Sequence, residues 1–349
     1  MSKLQTLGWD IGGAHLKAVL LNVDGELLGT LQVACPLWRG LDNLSSAIHT
    51  VLNSFKINPH QAKHAITMTG ELVDLFANRH VGVNVIAQFV NQLLVQQCQF
   101  YAASKGFVSI VQVAENTNCI ASTNWHASAR LIAHYRSDAL LLDIGSTTSD
   151  IIAIQSGKVL SSALSDASRL QEDTLVYTGV IRTPVMALGQ KLLLDSVETN
   201  VMAEYFATMA DVYRLTGELD ESSDMAETSD GKGKSLQESA RRLARMVGYD
   251  VEDKPLDSWV QLAFSCRTLQ LMQLKAAVLK HFKPNMPIIG VGAGSFLVSV
   301  IAEDLNTPYL SIDAILTSNM PAFKQNSHAL AICFSAYAVA QLSIMANQT

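Results

Sequence analysis

The sequence predicts an α/β protein of two domains, each opening with a β-meander whose first turn carries glycine. Three observations predict it. Residues 8–17, Gly-Trp-Asp-Ile-Gly-Gly-Ala-His-Leu-Lys, and residues 141–150, Leu-Leu-Asp-Ile-Gly-Ser-Thr-Thr-Ser-Asp, both run from an apolar strand pattern into Asp-Ile-Gly and then into small polar residues. A third glycine-rich segment, Pro287-Ile-Ile-Gly-Val-Gly-Ala-Gly-Ser295, again follows an apolar run and precedes a helical pattern. The length of 349 residues suits two cores better than one, since single cores stop growing well below that size.

The elements follow in order. The first meander reads as a strand to Asp10, a turn at Gly12-Gly13, a strand over 15–22, a hairpin turn at Asp24-Gly25 and a strand over 26–34. A helix is predicted over 41–55, then a strand Ala65–Thr69 that delivers Thr69, Gly70 and Glu71 at its carboxyl end, where α/β sheets place ligands. A helix near 83–103, a strand Phe107–Val113 and a long helix over about 116–136 complete the first domain, with a hinge near Ser137. Strands over 139–144, 149–155 and 158–161 then repeat the opening order, which is the mark of internal duplication. Helices near 236–247 and 255–282, a short helix to about 304, and a last amphipathic helix over about 327–345 close the chain. The domains are therefore drawn as 1–137, with the segment 327–349 packing back on it, and 138–326, with a polar insertion over about 216–235.

Composition narrows the function classes. Residues are 49% apolar and only 16% charged, which describes a well-buried globular chain. The net charge of −6 argues against nucleic-acid partners, which need a basic face. The five cysteines, at 35, 98, 119, 266 and 333, are scattered without a CxxC pair. A disulfide framework or structural zinc site is not expected, and a reducing cytoplasm is. The amino terminus shows no apolar signal core, and no apolar run approaches a membrane span, so no membrane partner is expected.

The chemistry concentrates at the turns. An Asp at a strand end can hold hydrated Mg²⁺, and glycine lets backbone N–H groups approach anionic oxygens. Asp10 with Gly12 and Gly13, and Asp143 with Gly145, each supply half of a phosphate clamp, to which Ser146, Thr147 and Thr148 add hydroxyls. A lone Asp before Gly is ordinarily a turn former; two at equivalent points of duplicated meanders are candidate oxyanion or Mg²⁺ residues. Lys17 is either a solvated strand lysine or a phosphate partner reaching back, and His15 beside the turn is a lesser candidate of the same kind. Gly290, Gly292 and Gly294 do not form a dinucleotide fingerprint, because the opening βαβ unit and its acidic residue are missing. Asp230-Gly-Lys-Gly-Lys-Ser235 is not a P-loop, since Thr228 stands where glycine is required; a flexible loop closing over an anion and a solvated insertion are equal readings.

Leu175-Val-Tyr-Thr-Gly-Val-Ile-Arg-Thr-Pro184 places Tyr177, Thr178, Arg182 and Thr183 between apolar segments. Arg182 there is either a surface residue at a strand bend or a bidentate grip on phosphate or carboxylate. Asp166 and Arg169 precede that segment and would pair with each other; Glu71, with Thr69, would serve as general base or amine-binding carboxylate. Asn124 and Trp125 are candidate substrate contacts, although a helix interior explains Trp125 equally.

Two Asp-Gly turns and a late glycine-rich turn, in that order, resemble the actin-like ATPase superfamily of sugar kinases, Hsp70 and activator ATPases. Asp10-Ile-Gly-Gly-Ala14, Thr67-Met-Thr-Gly-Glu-Leu72, Ala121-Ser-Thr-Asn-Trp125, Asp143-Ile-Gly-Ser-Thr-Thr-Ser-Asp150 and Tyr177-Thr-Gly-Val-Ile-Arg-Thr183 together resemble the hydantoinase/oxoprolinase-related family that includes a synthase of methanofuran biosynthesis. The likeness runs over nearly the whole chain, and the insertion resembles the branch found in bacteria with tetrahydromethanopterin-linked one-carbon transfer. The resemblance implies two RNase H-like domains with the site between them. It also implies joining of an aminomethylfuran-methyl diphosphate to the phenol of γ-glutamyltyramine, with tyrosine or a tyrosyl-polyglutamate as the bacterial acceptor, and release of diphosphate. Asp10 or Asp143 would hold Mg²⁺, and Glu71 or Asp150 would take the phenolic proton. ATP or ADP is left open as a cofactor, with the turn at 290–294 packing against adenosine in the superfamily. The expected partners are a small-molecule diphosphate and a phenolic acceptor, with self-association into a homo-oligomer open. Two other classes fit the same clamps: an ATP-dependent kinase or hydrolase, and a nucleotide-switched activator. The scattered cysteines count against an iron–sulfur activator.

Overall fold

The computed structural model describes residues 4–95, 98–161, 163–319 and 327–346. Strands β1 (Gln5–Ile11), β2 (His15–Leu21) and β3 (Leu27–Ala34) form the first meander, extended by β4 (Ala62–Met68), β5 (Cys98–Tyr101) and β6 (Phe107–Val108) to the order β3-β2-β1-β4-β5-β6. β1 pairs antiparallel with β2 and parallel with β4, so the strand bearing Asp10 is hydrogen-bonded along both edges. At the predicted hairpin turn, Asn22 Oδ1 accepts from the amides of Asp24 and Glu26 while Gly25 takes φ +85°, a left-handed conformation that suits glycine.

The helix Leu41–Phe55 forms as predicted and buries Leu44, Ala47, Ile48, Val51 and Leu52, one stripe at helical spacing. The helix Phe334–Ala346 packs on β1, β2, β4 and the helix Asn124–Tyr135. It comes so near that a Cβ on Gly8 would stand 2.0 Å from the Ala336 carbonyl oxygen. This corrects the expected amphipathic helix over 327–345. The segment breaks into Ser327–Ile332 and Phe334–Ala346, and the second piece is buried from Phe334 to Gln341 with no solvent face. Its polar side chains are each bonded: Ser335 to Asp10, Gln341 to the Gly25 carbonyl and Ser343 to Gln99.

The second sheet contains β7 (Ala139–Ile144), β8 (Ser149–Gln155), β9 (Lys158–Val159) and β10 (Leu175–Val176), followed after a separate hairpin of β11 (Lys191–Leu194) and β12 (Val197–Asn200) by β13 (Ile288–Val291) and β14 (Tyr309–Ser311). Its order is β10-β8-β7-β13-β14, with β9 also on β8. The third strand expected over 158–161 is thus only two residues long.

Other expectations fail where tertiary contacts override periodicity. The helix near 83–103 is Arg79–Leu93, ended where Val95 takes φ +57°, and residues 98–101 are the strand β5. The strand over 107–113 keeps two residues before a turn and the helix Val113–Ile120. The helix over 116–136 is interrupted at Ala121–Thr123, because Ala121 forms a parallel bridge with Met68 and Ser122 adopts φ +50°.

The chain divides into two compact units, Met1–Leu141 with Ile152–Glu172 and Leu310–Thr349, and Leu142–Ile151 with Asp173–Tyr309. The sequence drew its boundaries at 137/138 and 326/327. The described residues 152–172 and 310–319 group instead with the first unit. Asp166 is held there by Arg79 and Arg169 by Trp125, and the helix Ile312–Asn319 touches Ser327–Ile332.

Candidate functional site

The duplication extends to hydrogen bonds. In the first unit the Gly12 amide donates to the His15 carbonyl at 3.0 Å; in the second, the Gly145 amide donates to Thr148 at 2.9 Å. On the neighbouring strand, the Thr69 amide donates to the Ile11 carbonyl at 2.9 Å and the Gly294 amide to the Ile144 carbonyl at 2.8 Å. β4 lies beside β1 as β13 lies beside β7, so Thr69-Gly70 and Gly292–Gly294 occupy equivalent places. The sequence pairs the two Asp turns, and the equivalence of these third turns emerges from the sheet order.

Glycine is required at Gly292: it takes φ +86°, and a Cβ there would stand 2.6 Å from Asp143 Oδ1 and 2.3 Å from the Ile144 carbonyl oxygen. A Cβ on Gly294 would press on Ile144, one on Gly290 on Tyr309 and Val298, and one on Gly13 on Val73.

In the first unit Asp10 is buried, and its Oδ2 accepts from Ser335 Oγ at 2.5 Å with Lys17 Nζ 4.0 Å away. Among the described residues Asp10 Oδ1 has no hydrogen-bond partner, nor does Thr67 Oγ1 at the paired position of β4. Lys17 is register partner to Asp10 on the other side and is only partly exposed. His15 is buried at the head of β2.

Glu71 lies at the carboxyl end of the same sheet and is 1% exposed. Its Oε1 accepts from Ser122 Oγ at 2.7 Å, and its Oε2 has no hydrogen-bond partner among the described residues. Burial raises this carboxyl to about 7; the Ser122 hydrogen bond and Arg79 act against the rise, and Asp166 adds to it. Asp166 accepts from Arg79 at 2.9 Å, and the Arg169 guanidinium lies 4.0 Å from the Trp125 ring centroid. Trp125 is buried with no acceptor at Nε1. Asn124 begins its helix and accepts from the Trp125 amide. His126 bonds Tyr101 at 2.8 Å and is pushed down to about 4 by burial and by Arg130 and Arg169, so its imidazole is neutral.

In the second unit the segment after β10 folds over the Ser146 turn. The Val180 amide donates to the Gly145 carbonyl, and the Ile181 and Arg182 amides both donate to the Ser146 carbonyl. A Cβ on Gly179 would lie 2.5 Å from the Thr147 nitrogen, so only glycine allows this stacking. Thr183 Oγ1 accepts from the Gly179 amide, and Ser149 Oγ donates to the Thr178 carbonyl. The fully buried Gln270 donates to Thr178 Oγ1 at 2.8 Å and to the Gly179 carbonyl at 2.9 Å, while accepting from Tyr213 at 2.5 Å. Asp143 and residues 145–148 are half-buried, Asp150 is buried opposite Leu175, and Arg182 and Tyr177 are exposed.

Sequence reasoning missed Ser335, Arg79 and Gln270. The one signal was Gln270, a polar residue on an inward position of the apolar helix Leu256–His281. The insertion over 216–235 is bolted down rather than loose. Asp211 accepts from Arg214 and Arg242, Arg214 grips Asp224 through two nitrogens, Lys234 joins Asp224, and Arg242 reaches Asp230. Burial would raise the Asp224 carboxyl, but Arg214 and Lys234 hold it below its ordinary value.

The residues fit Mg²⁺ of one kind. Asp10 keeps an unpartnered buried oxygen, and Asp143 faces the space a Gly292 side chain would fill. Among the described residues, no three His, Cys, Asp or Glu side chains come together around a metal. A single carboxylate of this kind would hold Mg²⁺ only together with water and the oxygens of a bound phosphate.

Comparison with known proteins agrees with this architecture. The chain is 30% identical over 309 residues, 87% of its length and 90% of the relative's, to the (4-{4-[2-(gamma-L-glutamylamino)ethyl]phenoxymethyl}furan-2-yl)methanamine synthase of Methanocaldococcus jannaschii. It is 31% identical over 159 residues, 44% of the chain and 71% of the relative, to the synthase of the same name from Methanococcus vannielii. Among solved structures, nucleotide-free acetone carboxylase matches with TM-score 0.58 at 12% identity, covering 97% of this chain and 70% of that one. This is a likeness of fold alone, and it accords with an α/β chain of two main sheets. The family model described as Hydantoinase/oxoprolinase matches residues 63–323, and the chain belongs to that family.

Proposed function

We propose that this protein is a transferase that forms an aryl furfuryl ether. It would join an aminomethylfuran-methyl diphosphate to the phenol oxygen of a tyramine- or tyrosine-type glutamyl acceptor and release diphosphate. The product named for the relatives contains a phenoxymethyl-furan linkage, which supports this reading. In the step, the bond from the furfuryl carbon to diphosphate breaks with its electron pair leaving on the diphosphate oxygen. The phenol oxygen bonds to that carbon, and its proton passes to a carboxylate. The furan stabilises positive charge on the carbon, so the protein's tasks are to bind the departing charge, exclude water and take one proton.

The amides of Gly145, Gly179–Arg182 and Gly294 already donate within the protein, so the hydroxyls of Ser146, Thr147 and Thr148 would hold the diphosphate, with the exposed Arg182 as a cation beside them. Mg²⁺ held by Asp10 or Asp143 would supply neutralisation of the leaving charge. The observation that carries it is Glu71: a buried carboxyl near neutrality with one oxygen unpartnered is suited to take a proton at physiological pH. Asp150 is the second candidate base.

The test compares ligands. Mg²⁺-diphosphate at about 100 times its dissociation constant should stabilise the protein by about 2.7 kcal/mol. Selective stabilisation by Mg²⁺-ATP, without response to diphosphate, would replace the proposal with an ATP-dependent enzyme or switch.

A further inference from the structure

We propose that Ser122 is the positioning residue of Glu71: by occupying Oε1 with its hydroxyl it leaves Oε2 as the one carboxylate oxygen that takes a proton from a substrate hydroxyl. The inference rests on Glu71 as the base of the proposed reaction, and its geometry stands on three observations. Ser122 Oγ lies 2.7 Å from Oε1 in a buried contact, while Oε2 is buried with no partner among the described residues. The carboxylate is thus asymmetric before any substrate arrives. Ser122 also takes φ +50° in the break between the helices Val113–Ile120 and Asn124–Tyr135. A non-glycine residue in this region is strained, and such strain persists where surrounding structure enforces it, often at functional sites. The Met68–Ala121 bridge enforces it here by tying residue 121 to the end of β4, three residues before Glu71. Finally, Gly82 packs against the Glu71 backbone so closely that a Cβ would lie 2.4 Å from its carbonyl oxygen. Backbone and carboxylate are therefore fixed from opposite partners.

The charged and titratable groups around Glu71 are few. Arg79 and His80 begin the helix beside it, Asp166 is paired to Arg79, and His80 Nδ1 is bonded to Thr117. The Ser122 hydroxyl donates to the ionised carboxylate and favours it. Its removal makes the proton harder to release, by about one pH unit for a hydrogen bond worth about 1.4 kcal/mol.

The experiment uses Ser122→Ala and Ser122→Gly. The glycine variant relieves the left-handed strain while deleting the hydroxyl, so loss of folding does not confound it. The Glu71 carboxyl is titrated by infrared difference spectroscopy, with Glu71→Gln identifying its band, and the pH profile of ether formation is recorded in parallel. In both variants the midpoint should rise by about one pH unit, and the alkaline-favoured limb of kcat/KM should move with it. An unchanged Glu71 midpoint in both variants overturns the inference. A raised midpoint with an unmoved rate profile upholds the control of Glu71 by Ser122 and removes Glu71 from the role of base.

Discussion

Replacing Glu71 with glutamine removes a proton-binding site whose affinity differs between folded and unfolded chain. The free carboxyl titrates near 4.5, and burial raises it to about 7 in the fold. Below the lower value both states are protonated and the buried carboxyl costs nothing extra. As pH rises the unfolded chain gives up its proton first, so stability falls until about pH 7 and is constant above. The loss is about 3 kcal/mol, from roughly 2.5 units at 1.36 kcal/mol each, against a total of about 5–15 kcal/mol for an ordinary domain. Glutamine does not ionise and keeps an oxygen for Ser122, so Glu71→Gln escapes this loss while carrying a constant cost for its buried amide. Urea denaturation of both proteins at pH 5 and pH 8 isolates the effect, because other titrating groups cancel in the difference. The variant should gain about 2.5 kcal/mol relative to the parent between the two pH values, since part of the loss is already incurred at pH 5. An equal difference at both would refute the buried, proton-holding Glu71. Activity should move the other way, with a loss of about 10²–10⁴-fold in kcat for a missing general base.

Other perturbations follow from the same contacts. Gln270→Met keeps volume but strands Thr178 Oγ1, the Gly179 carbonyl and the Tyr213 hydroxyl; calorimetry should show a loss of about 2–4 kcal/mol, with weaker diphosphate binding by titration. Gly292→Ala forces a Cβ onto Asp143 Oδ1 at an unfavourable φ, so Mg²⁺-diphosphate protection should disappear even where circular dichroism shows a folded chain. Asp211→Leu leaves the buried Arg242 guanidinium short of a carboxylate and should destabilise by about 3–5 kcal/mol, with limited proteolysis then cutting within 216–235.

The meanders were legible because their signals are local: glycine turns and apolar strand patterns place Asp10 and Asp143 near the ends of their strands. Helix Leu41–Phe55 was legible through its apolar stripe. What escaped were features decided by distant partners. Ala121 leaves its helix to bridge Met68, and nothing in residues 116–136 announces that. Helix Phe334–Ala346 loses its polar face because Asp10, Gly25 and Gln99 receive its polar groups, contacts across more than 240 residues of sequence. Of the candidate residues, Glu71 was chosen for its place at a strand end, but its proton affinity depends on Ser122 and burial, which sequence does not reveal. The insertion's acidic and basic residues read equally as an anion-closing loop or a solvated one, because their pairing with Asp211, Arg214 and Arg242 depends on the helices Met209–Thr216 and Leu236–Arg245 lying side by side.

The central claim is that the chain makes an ether at the expense of a diphosphate ester. The most direct measurement incubates the protein and Mg²⁺ with aminomethylfuran-methyl diphosphate and γ-glutamyltyramine or a tyrosine-type acceptor, counting ether by mass spectrometry and diphosphate by coupled assay. The account predicts equal amounts of both, dependent on the phenol and independent of ATP. Diphosphate release without ether, or turnover only when ATP is supplied and consumed, would contradict it.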